Sequence, residues 1–389
     1  METICSIIRG TLAPAGNPIQ TSKEALTQPL VEHYHSVFTD SGTSALALAL
    51  LVIKNKFPHI SKPEVIIPGY GCPDLISAAQ YAQVKPVIID TDTNSPFYNI
   101  EALEKTLSNN TIAILTVNFL GIPENRPAIQ KILLKNENPA IIIDDNAQWF
   151  PENSDSPLSS TLSIISFGRG KPVSILGGGA LLCKNQEDAT FAQTILSQPP
   201  RSNAFKETLK IHLYNQLIKP FYYQFLTRNP LLNLGKTTYR PLQKIESLTR
   251  QKHQLIQKNL HAHLQRSRSL EETYLTILQS DTEYEALINT SPLGFGRLLR
   301  FPILCRNKAA RDELILKGHS LGLGFSAMYQ TGMSGIETLP PNISPKSLPN
   351  SNDFADRLLT LPLHDFVTPN HVKLIKQTLR KRHPYTGDD

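Results

Sequence analysis

The chain has 389 residues, of which 40% are hydrophobic and 19% charged. This is an ordinary globular composition, and it excludes a collagen-like fibre or a disordered chain. No apolar run reaches the roughly 18–20 residues of a membrane span, and the first ten residues lack the features of an export signal. The four cysteines, Cys5, Cys72, Cys183 and Cys305, have no CxxC or framework spacing. We therefore expect no zinc site or structural disulfide, and a cytoplasmic location.

The net charge of +6 is concentrated in one segment. Residues 201–270 contain 13 basic residues and only two acids, Glu207 and Glu246. Such a segment is a solvated helical face, or it meets an anionic substrate, an acidic lipid surface or nucleic acid. Nucleic acid is the weakest of these interpretations, because no helix-turn-helix, RNP or zinc pattern accompanies the charge.

Apolar runs alternate with helical patterns in the first half of the chain. Strands are predicted at 64–68, 86–90, 112–117, 140–144 and 162–167, and helices at 44–56, 75–82, 100–107 and 126–135. Short apolar strands without polar alternation predict a mostly parallel sheet covered on both faces. The fold class is therefore α/β, and ligands are expected beyond the carboxyl ends of the strands.

The second half has a different organisation. Residues 191–278 are helical in pattern, with Pro220, Pro230 and Pro241 as interruptions. A strand at 298–305 and a final helix at 371–382 follow, and the Pro-, Ser- and Asn-rich stretch 339–353 predicts a loop. We expect a large domain at 1–240, with a basic helical insertion at about 203–234, and a smaller α+β domain at 241–389.

Two carboxylates, Asp144 and Asp145, end the buried-type strand that starts at Ala140. This pattern is typical of a Walker-B strand, of the metal-binding pair of a nucleotide-sugar glycosyltransferase, or of an aspartate that caps the next turn. The chain contains no GxxxxGK[ST] motif, which argues against the first interpretation.

The next predicted strand ends in a small-residue loop that carries Lys171 and is followed by three glycines at 177–179. A lysine there is a surface residue or a Schiff-base nucleophile that moves between two partners. Residues 40–43 open the first helix, where backbone N–H groups and a hydroxyl predict a phosphate site. A phosphate site, a carboxylate for a pyridinium and a loop lysine are together what pyridoxal phosphate requires of a protein.

These motifs resemble those of the DegT–StrS group of pyridoxal-phosphate sugar aminotransferases, which have the aspartate-aminotransferase fold (fold type I). The matching segments are Ser41-Gly42-Thr43, 65–68, 86–92, 117–121, Asp144-Asp145-Asn146-Ala147-Gln148, Ser166-Phe167 with Lys171, 322–329 and 361–364.

The resemblance implies a role for each matching residue. Lys171 carries the cofactor and then acts as a base, and Asp145 pairs with the pyridine nitrogen. Gln148 lies near the phenolic oxygen of the cofactor. The phosphate is held by Ser41, Gly42, Thr43 and Ser166. No metal is implied.

The chain also departs from the family pattern. Relatives place a Thr and a large aromatic where this chain has Gly71 and Cys72, so Tyr70 or Cys72 is expected against the cofactor ring. Asn118 replaces a usual histidine. The segment with which relatives reach the phosphate of the neighbouring subunit corresponds to 235–240, where Thr237 replaces an Asn and Arg240 falls one place late. The resemblance therefore implies a homodimer with shared active sites.

The implied function is a ping-pong aminotransferase that takes an amino group from an amino acid, glutamate being the family habit. The acceptor is an anionic keto-sugar, nucleotide- or lipid-linked, used in polysaccharide or glycoconjugate biosynthesis. Dehydratase relatives have histidine in place of the lysine, so Lys171 argues against them. The alternatives left open are a non-catalytic or regulatory member that retains the cofactor, and a metal-dependent glycosyltransferase that uses Asp144 and Asp145.

The insertion has its own pattern. One helical stripe is predicted for Tyr214, Leu217, Ile218, Phe221, Tyr222 and Phe225, with Lys206, Lys210 and Lys219 beside it and a kink at Pro220. The stripe packs on the sheet or a dimer partner, or it makes a weak peripheral contact with anionic lipid.

Overall fold

A computed structural model describes residues 10–22, 24, 26–151, 160–199, 203–227, 237–279, 284–290, 294–343, 345 and 347–380. In these ranges the strands form a seven-stranded and a three-stranded sheet. None of the helices within the same ranges has the length and apolar character that a membrane crossing requires.

The larger sheet has the strand order β1-β7-β6-β5-β4-β2-β3. Its strands are β1 (His35–Thr39), β2 (Glu64–Pro68), β3 (Lys85–Ile89), β4 (Thr111–Val117), β5 (Ile141–Asn146), β6 (Leu162–Ser166) and β7 (Gly179–Cys183). The pairs from β3 to β6 are parallel, whereas β7 runs antiparallel to both β6 and β1. The mostly parallel sheet is therefore confirmed.

Helices cover both faces of this sheet, as its apolar strands predicted. These helices are α1 (Gly42–Lys56), α2 (Asp74–Tyr81), α3 (Ile100–Thr106), α4 (Arg126–Lys135) and α5 (Gln186–Ile195). Along β2, Val65 and Ile67 join the core that contains α1, while Ile66 joins the core that contains α4. Because successive strand residues point to opposite faces, a strand covered on both sides needs apolar residues at every position.

The nine strands and helices predicted between residues 44 and 167 all form, with bounds within two residues of those expected. Two strands of the larger sheet were missed. β7 contains Gly179, the last of three consecutive glycines that predicted a loop, and β1 is an edge strand whose neighbour in the sheet is β7.

The chain continues through α6 (Ala204–Leu217), α7 (Pro220–Thr227), α8 (Arg250–Gln265) and α9 (Ser269–Gln279). The remaining elements are β8 (Glu285–Ala286), β9 (Arg300–Leu304), α10 (Lys308–Ser320), α11 (Pro349–Arg357), β10 (Leu358–Pro362) and α12 (Pro369–Leu379). The three strands form an antiparallel sheet in the order β10-β9-β8. The predicted strand at 298–305 and the final helix are present, although 381 and 382 lie outside the described residues.

The loop predicted at 339–353 is wrong from Pro349 onward, where α11 begins. The carboxylate of Asp90, which directly follows β3, accepts from the backbone N–H groups of Asn350 at 2.9 Å and Ser351 at 2.8 Å. These are first-turn donors that the helix itself leaves without acceptors. A side chain some 260 residues away in sequence therefore caps α11.

The boundary predicted after Arg240 stays a prediction. Leu255 and Ile256 of α8 lie in a buried cluster with Ile165 of the large sheet. Tyr274 and Ile277 of α9 lie instead in the core around β9 and β10, which also contains residues of the first half such as Phe119. This packing supports a proposed boundary after α8.

The insertion forms two helices, α6 and α7, and Pro220 begins the second one. The predicted kink is therefore a break, and it changes the predicted stripe. Tyr214 and Ile218 pack inward, while the remaining members are exposed. We call the exposed side chains of the two helices the outer face: Phe205, Leu209, Leu213, Leu217, Phe221, Tyr222 and Phe225.

Candidate functional site

The parallel strands bring distant residues to one edge of the large sheet. β2, β4, β5 and β6 all end at this edge, and they are followed by Tyr70, Asn118, Gln148 and Lys171 respectively. The antiparallel β7 begins here with Gly179. The residues named by their sequence motifs therefore meet where open α/β sheets bind ligands.

The amino end of α1 lies against the end of β6. Ser41 is the N-cap of α1, and its Oγ accepts from the N–H of Ser44 at 3.0 Å. A Cβ at Gly42 would stand 2.7 Å from Cβ of Ser166, so only glycine permits this approach. The first N–H groups of a helix lack intrahelical acceptors and carry a partial positive charge, so this corner suits an anion.

Thr43 contacts Asp74, a site residue that the sequence analysis did not predict. Its Oγ1 donates to Oδ2 of Asp74 at 3.1 Å. Asp74 is the first residue of α2, and its charge acts on both Cys72 and Asp145. The available signal was a carboxylate directly after the turn 68–73, at the beginning of a predicted helix.

Asp144 and Asp145 project from opposite faces of β5, because successive side chains of a strand alternate. The carboxylate of Asp144 accepts from the hydroxyls of Thr116 and Ser160, each at 2.6 Å, and lies 3.7 Å from Nη1 of Arg126. Asp144 is thus held in a buried polar network away from the candidate site.

Asp145 is the carboxylate that faces the candidate site. Its Oδ1 accepts from the N–H of Ala147 at 2.8 Å. Burial raises the pKa of Asp145, while the Ala147 N–H and the charge of Lys171 lower it, and Asp74 raises it. Lys171 is therefore the cation that acts on this buried carboxylate.

Lys171 lies in a turn in which its backbone N–H donates to the carbonyl of Gly168 at 3.2 Å. Gly170 in the same turn has a φ of 71°, a left-handed conformation that favours glycine. The side chain of Lys171 passes Gly168, where an added Cβ would stand 3.6 Å from Cγ of the lysine. Gly168 and Gly170, which both precede Lys171, thus shape the loop that presents its amine.

Either Tyr70 or Cys72 was expected against the cofactor ring, and the two residues lie in different surroundings. Tyr70 is 1% exposed, and the rings of Phe119, Tyr329 and Phe354 pack around it edge-on at centroid distances of 4.9–5.6 Å. Cys72 is only partly buried, and its surroundings include Lys171. Burial, together with Asp74, raises the pKa of the Cys72 thiol to about 12, so the thiol is neutral near pH 7.

Gln148 and Asn118 are fixed by hydrogen bonds. Nε2 of Gln148 donates to the hydroxyl of Tyr329 at 2.9 Å, and its Oε1 accepts from the N–H of Leu120 at 3.1 Å. Asn118 donates to Oδ1 of Asn146. In the sequence Tyr329 is only the end of a matching segment. In the structure it belongs to the core around the smaller sheet and contacts Gln148. Burial raises the pKa of its phenol, and Cys72 and Asp145 raise it further.

Thr237 and Arg240 have no recorded contact with these groups in the described part of the chain. Arg240 is exposed, and its backbone carbonyl accepts from the hydroxyl of Ser77 on α2 at 2.7 Å. Gly235 and Lys236, which begin the same segment, lie outside the described residues.

A glycosyltransferase would need Asp144 and Asp145 to bind one metal ion together, and the structure does not bring their carboxylates together. Asp144 and Asp145 diverge, and the described ranges contain no group of three or more His, Cys, Asp or Glu side chains that could hold a metal ion.

Comparison with known proteins agrees with this arrangement. A profile of the DegT/DnrJ/EryC1/StrS aminotransferase family matches residues 6–380. The chain belongs to this family.

Two curated relatives share moderate similarity with the chain. The GDP-4-keto-6-deoxy-D-mannose 3-dehydratase of Escherichia coli is 22% identical over 190 residues, which is 48% of each protein. The GDP-perosamine synthase of the same species is 26% identical over 179 residues, 45% of this chain and 47% of the relative. Each match spans less than half of the relative's length.

Solved structures match over almost the whole fold. Helicobacter pylori PseC, an aminotransferase involved in the biosynthesis of pseudoaminic acid, aligns with a TM-score of 0.72 and 16% identity, covering 95% of this chain and 98% of its own. The Escherichia coli dehydratase with bound hydrated PLP aligns with a TM-score of 0.67 and 15% identity, covering 94% and 100%. The expected fold type I architecture is confirmed.

Proposed function

We propose that the protein is a pyridoxal-phosphate-dependent aminotransferase that moves an amino group from an amino acid, with glutamate as the expected donor, to a keto-sugar. One observation carries this proposal. Lys171 and Asp145 interact electrostatically at the sheet edge where Gly42 and Ser166 form an anion-binding corner. Family membership supports the same interpretation.

The residues present fit the cofactor. The close approach of Gly42 to Ser166 leaves backbone N–H groups and the hydroxyl of Ser166 for a phosphate. The hydroxyls of Ser41 and Thr43, which donate to Ser44 and Asp74 in this structure, would turn toward the phosphate when it binds. The buried carboxylate of Asp145 suits a protonated ring nitrogen. The neutral, polarizable thiol of Cys72 suits the face of a ring better than Tyr70 does, because protein rings already surround Tyr70.

When bound, pyridoxal phosphate supplies an electron sink that lets an amino group leave one substrate and enter another. Asp145 would keep a proton on the ring nitrogen, because a buried carboxylate is stabilised by a cation beside it. The amine of Lys171 would hold the cofactor and would also be the base that moves a proton. Gln148, fixed by Tyr329 and Leu120, would hold the side of the ring that carries the phenolic oxygen.

The proposed acceptor is a nucleotide- or lipid-linked keto-sugar used to build polysaccharide or glycoconjugate. Relatives named for GDP-, dTDP- and UDP-sugars support a nucleotide carrier. A dehydratase is the second candidate, because one curated relative and two solved structures are 3-dehydratases. Lys171 favours the aminotransferase, since the resemblance places histidine at that position in dehydratases.

The proposed surroundings are the cytoplasm and a homodimer. Cys72, Cys183 and Cys305 carry free thiols, as expected in a reducing compartment. The exposed side chain of Arg240 supports a site completed by the partner chain. The apolar outer face of the insertion, with lysines beside it, supports a weak contact with anionic lipid.

We expect the Lys171→Ala variant to fold and to lose both the yellow cofactor absorbance and transamination, because no other amine replaces the covalent link. Lys184→Ala, at an exposed lysine after β7, is the matched control and should keep both. Borohydride reduction followed by peptide mass spectrometry locates the link. A reducible adduct on another lysine in the Lys171→Ala variant would show that the assignment is wrong.

Asp145→Asn should retain bound cofactor and lose turnover by several orders of magnitude, because the ring nitrogen is no longer held protonated. Asp144→Asn should instead lower the melting temperature, because it disrupts the network with Thr116, Ser160 and Arg126. Turnover of Asp145→Asn within about tenfold of wild type, equal to about 1.4 kcal/mol of barrier, would contradict the role.

Shared active sites predict complementation between inactive chains. Lys171→Ala and Arg240→Ala chains, each of low activity, should regain about a quarter of wild-type turnover after unfolding and refolding together, because half of randomly formed two-fold dimers are mixed and each has one intact site. Mixing two preparations of Lys171→Ala is the control. No recovery, or full activity of a monomer in sedimentation, would exclude the shared site.

The outer face should bind vesicles of anionic phosphatidylglycerol at low salt. Lys206, Lys210 and Lys219 lie beside the apolar side chains, and each basic residue near such a surface contributes roughly 1 kcal/mol. Flotation should show weaker binding for the variant in which all three become Gln and no binding to neutral phosphatidylcholine. Equal binding by the triple variant, or none by the native protein, would contradict a lipid role.

A further inference from the structure

Arg300, at the beginning of β9, is a guanidinium with too few partners. Its Nη1 donates to the hydroxyl of Ser326 at 3.2 Å, and its buried Nε has no hydrogen-bond acceptor among the described residues. No carboxylate in the described ranges forms an ion pair with it. An arginine that is only partly exposed and lacks a counter-charge is costly to hold unless something else supplies the negative charge.

The groups around Arg300 connect it to the candidate active site. Burial lowers the pKa of Arg300, and the nearby phenols of Tyr329, Tyr223 and Tyr70 raise it. Arg300 nevertheless stays protonated near pH 7, as arginine does in proteins. Tyr329 is the phenol that accepts from Gln148, and Asp145 and Cys72 also act on it. Ser326, which accepts from Arg300, also accepts from the N–H of Met328, so Arg300 stands close to Tyr329 and shares it as a neighbour with the residues proposed to hold the cofactor.

A second guanidinium approaches from the loop of Lys171. Arg169 is exposed, stands two residues before the lysine, and acts on both Tyr214 of α6 and Tyr223 of α7. The charges of both arginines lower the pKa of Tyr223, which burial raises, and no acidic side chain contributes to that shift. The inner side of the insertion therefore lies beside two positive charges that have no carboxylate partner among the described residues.

We propose that Arg300, with Ser326 beside it and Arg169 at its rim, forms a subsite that binds an oxyanion of the substrate. A guanidinium binds carboxylate and phosphate through paired N–H donors, so both groups share the required chemistry. The two sources are the carboxylate of the amino donor and the phosphate of the sugar carrier. This inference rests on the proposed aminotransferase function and assigns Arg300 as a substrate-binding residue.

The first experiment measures binding without catalysis. Titration calorimetry of the cofactor-free protein uses succinate as the carboxylate probe and inorganic pyrophosphate as the phosphate probe. Arg300→Gln should weaken at least one probe about ten- to a hundredfold, as expected for loss of a hydrogen bond to a charged group. Arg300→Lys should lie between Gln and wild type, and Arg306→Gln, at an exposed arginine just after β9, is the matched control.

The second experiment separates the two sources. Single-turnover reaction of the holoenzyme with glutamate reports the donor, and the second half-reaction, in which the enzyme loaded with pyridoxamine phosphate reacts with a nucleotide-linked keto-sugar, reports the acceptor. A raised half-saturation concentration for glutamate together with weaker succinate binding assigns the carboxylate. A raised value for the keto-sugar together with weaker pyrophosphate binding assigns the phosphate.

Unchanged affinity for both probes, within about twofold of Arg306→Gln, would overturn the subsite and leave Arg300 as a packing residue. If Arg300→Gln fails to fold, Arg300→Lys and the loop variant Arg169→Gln decide by the same titrations. Probe binding that depends on Arg300 in a protein without transaminase activity would contradict the proposed function alone. An active enzyme with unaltered titrations would contradict the subsite alone.

Discussion

The burial of one carboxylate constrains the rest of the site. Asp145 is 6% exposed at the end of a central strand, and a charged group in that position is stable only beside a compensating cation. In the structure the charge of Lys171 only partly offsets the burial of Asp145, whose pKa stays raised, and a protonated ring nitrogen would supply the cation in the proposed complex. Asp144 shows the opposite solution, because hydroxyls and Arg126 surround its charge within the fold. The alternation of side chains along β5 thus gives two neighbouring carboxylates different roles.

Sequence predicted those parts of the fold that depend on local pattern. The parallel strands were recognisable because burial on both faces requires continuous apolar runs, as in 141–143 of β5. β1 and α11 were not recognisable, because their stability comes from distant groups. β1 pairs with β7, and α11 is capped by Asp90 from the end of another strand. No window of sequence contains such partners.

The same division applies to the candidate site. Gly42, Asp145 and Lys171 stood out because each lies in a short motif at a strand or helix end. Asp74, Arg300 and the environment of Tyr70 depend on which strands become neighbours and how the smaller sheet meets the larger one. Tyr70 is an example. It lies in the segment from which an aromatic residue was expected to contact the cofactor ring, but it packs in a cluster with Phe354, nearly 300 residues later in the sequence.

The insertion shows how one helix pair can serve two surfaces. Pro220 breaks the predicted continuous helix, and the carbonyl of Pro220 accepts from the N–H of Thr11 at 2.9 Å, so the break is fixed against the amino-terminal segment. On α7, Tyr223 then faces inward toward Arg300 while Phe221 and Phe225 face outward. A single helix turn therefore connects the proposed oxyanion subsite with the outer face. If the outer face rests on lipid, the two arginines near Tyr223 lie close to that surface, where a sugar phosphate on a lipid carrier would arrive. A soluble nucleotide-sugar would need the arginines but not the outer face, so lipid binding by the outer face is the property on which the two classes of acceptor differ.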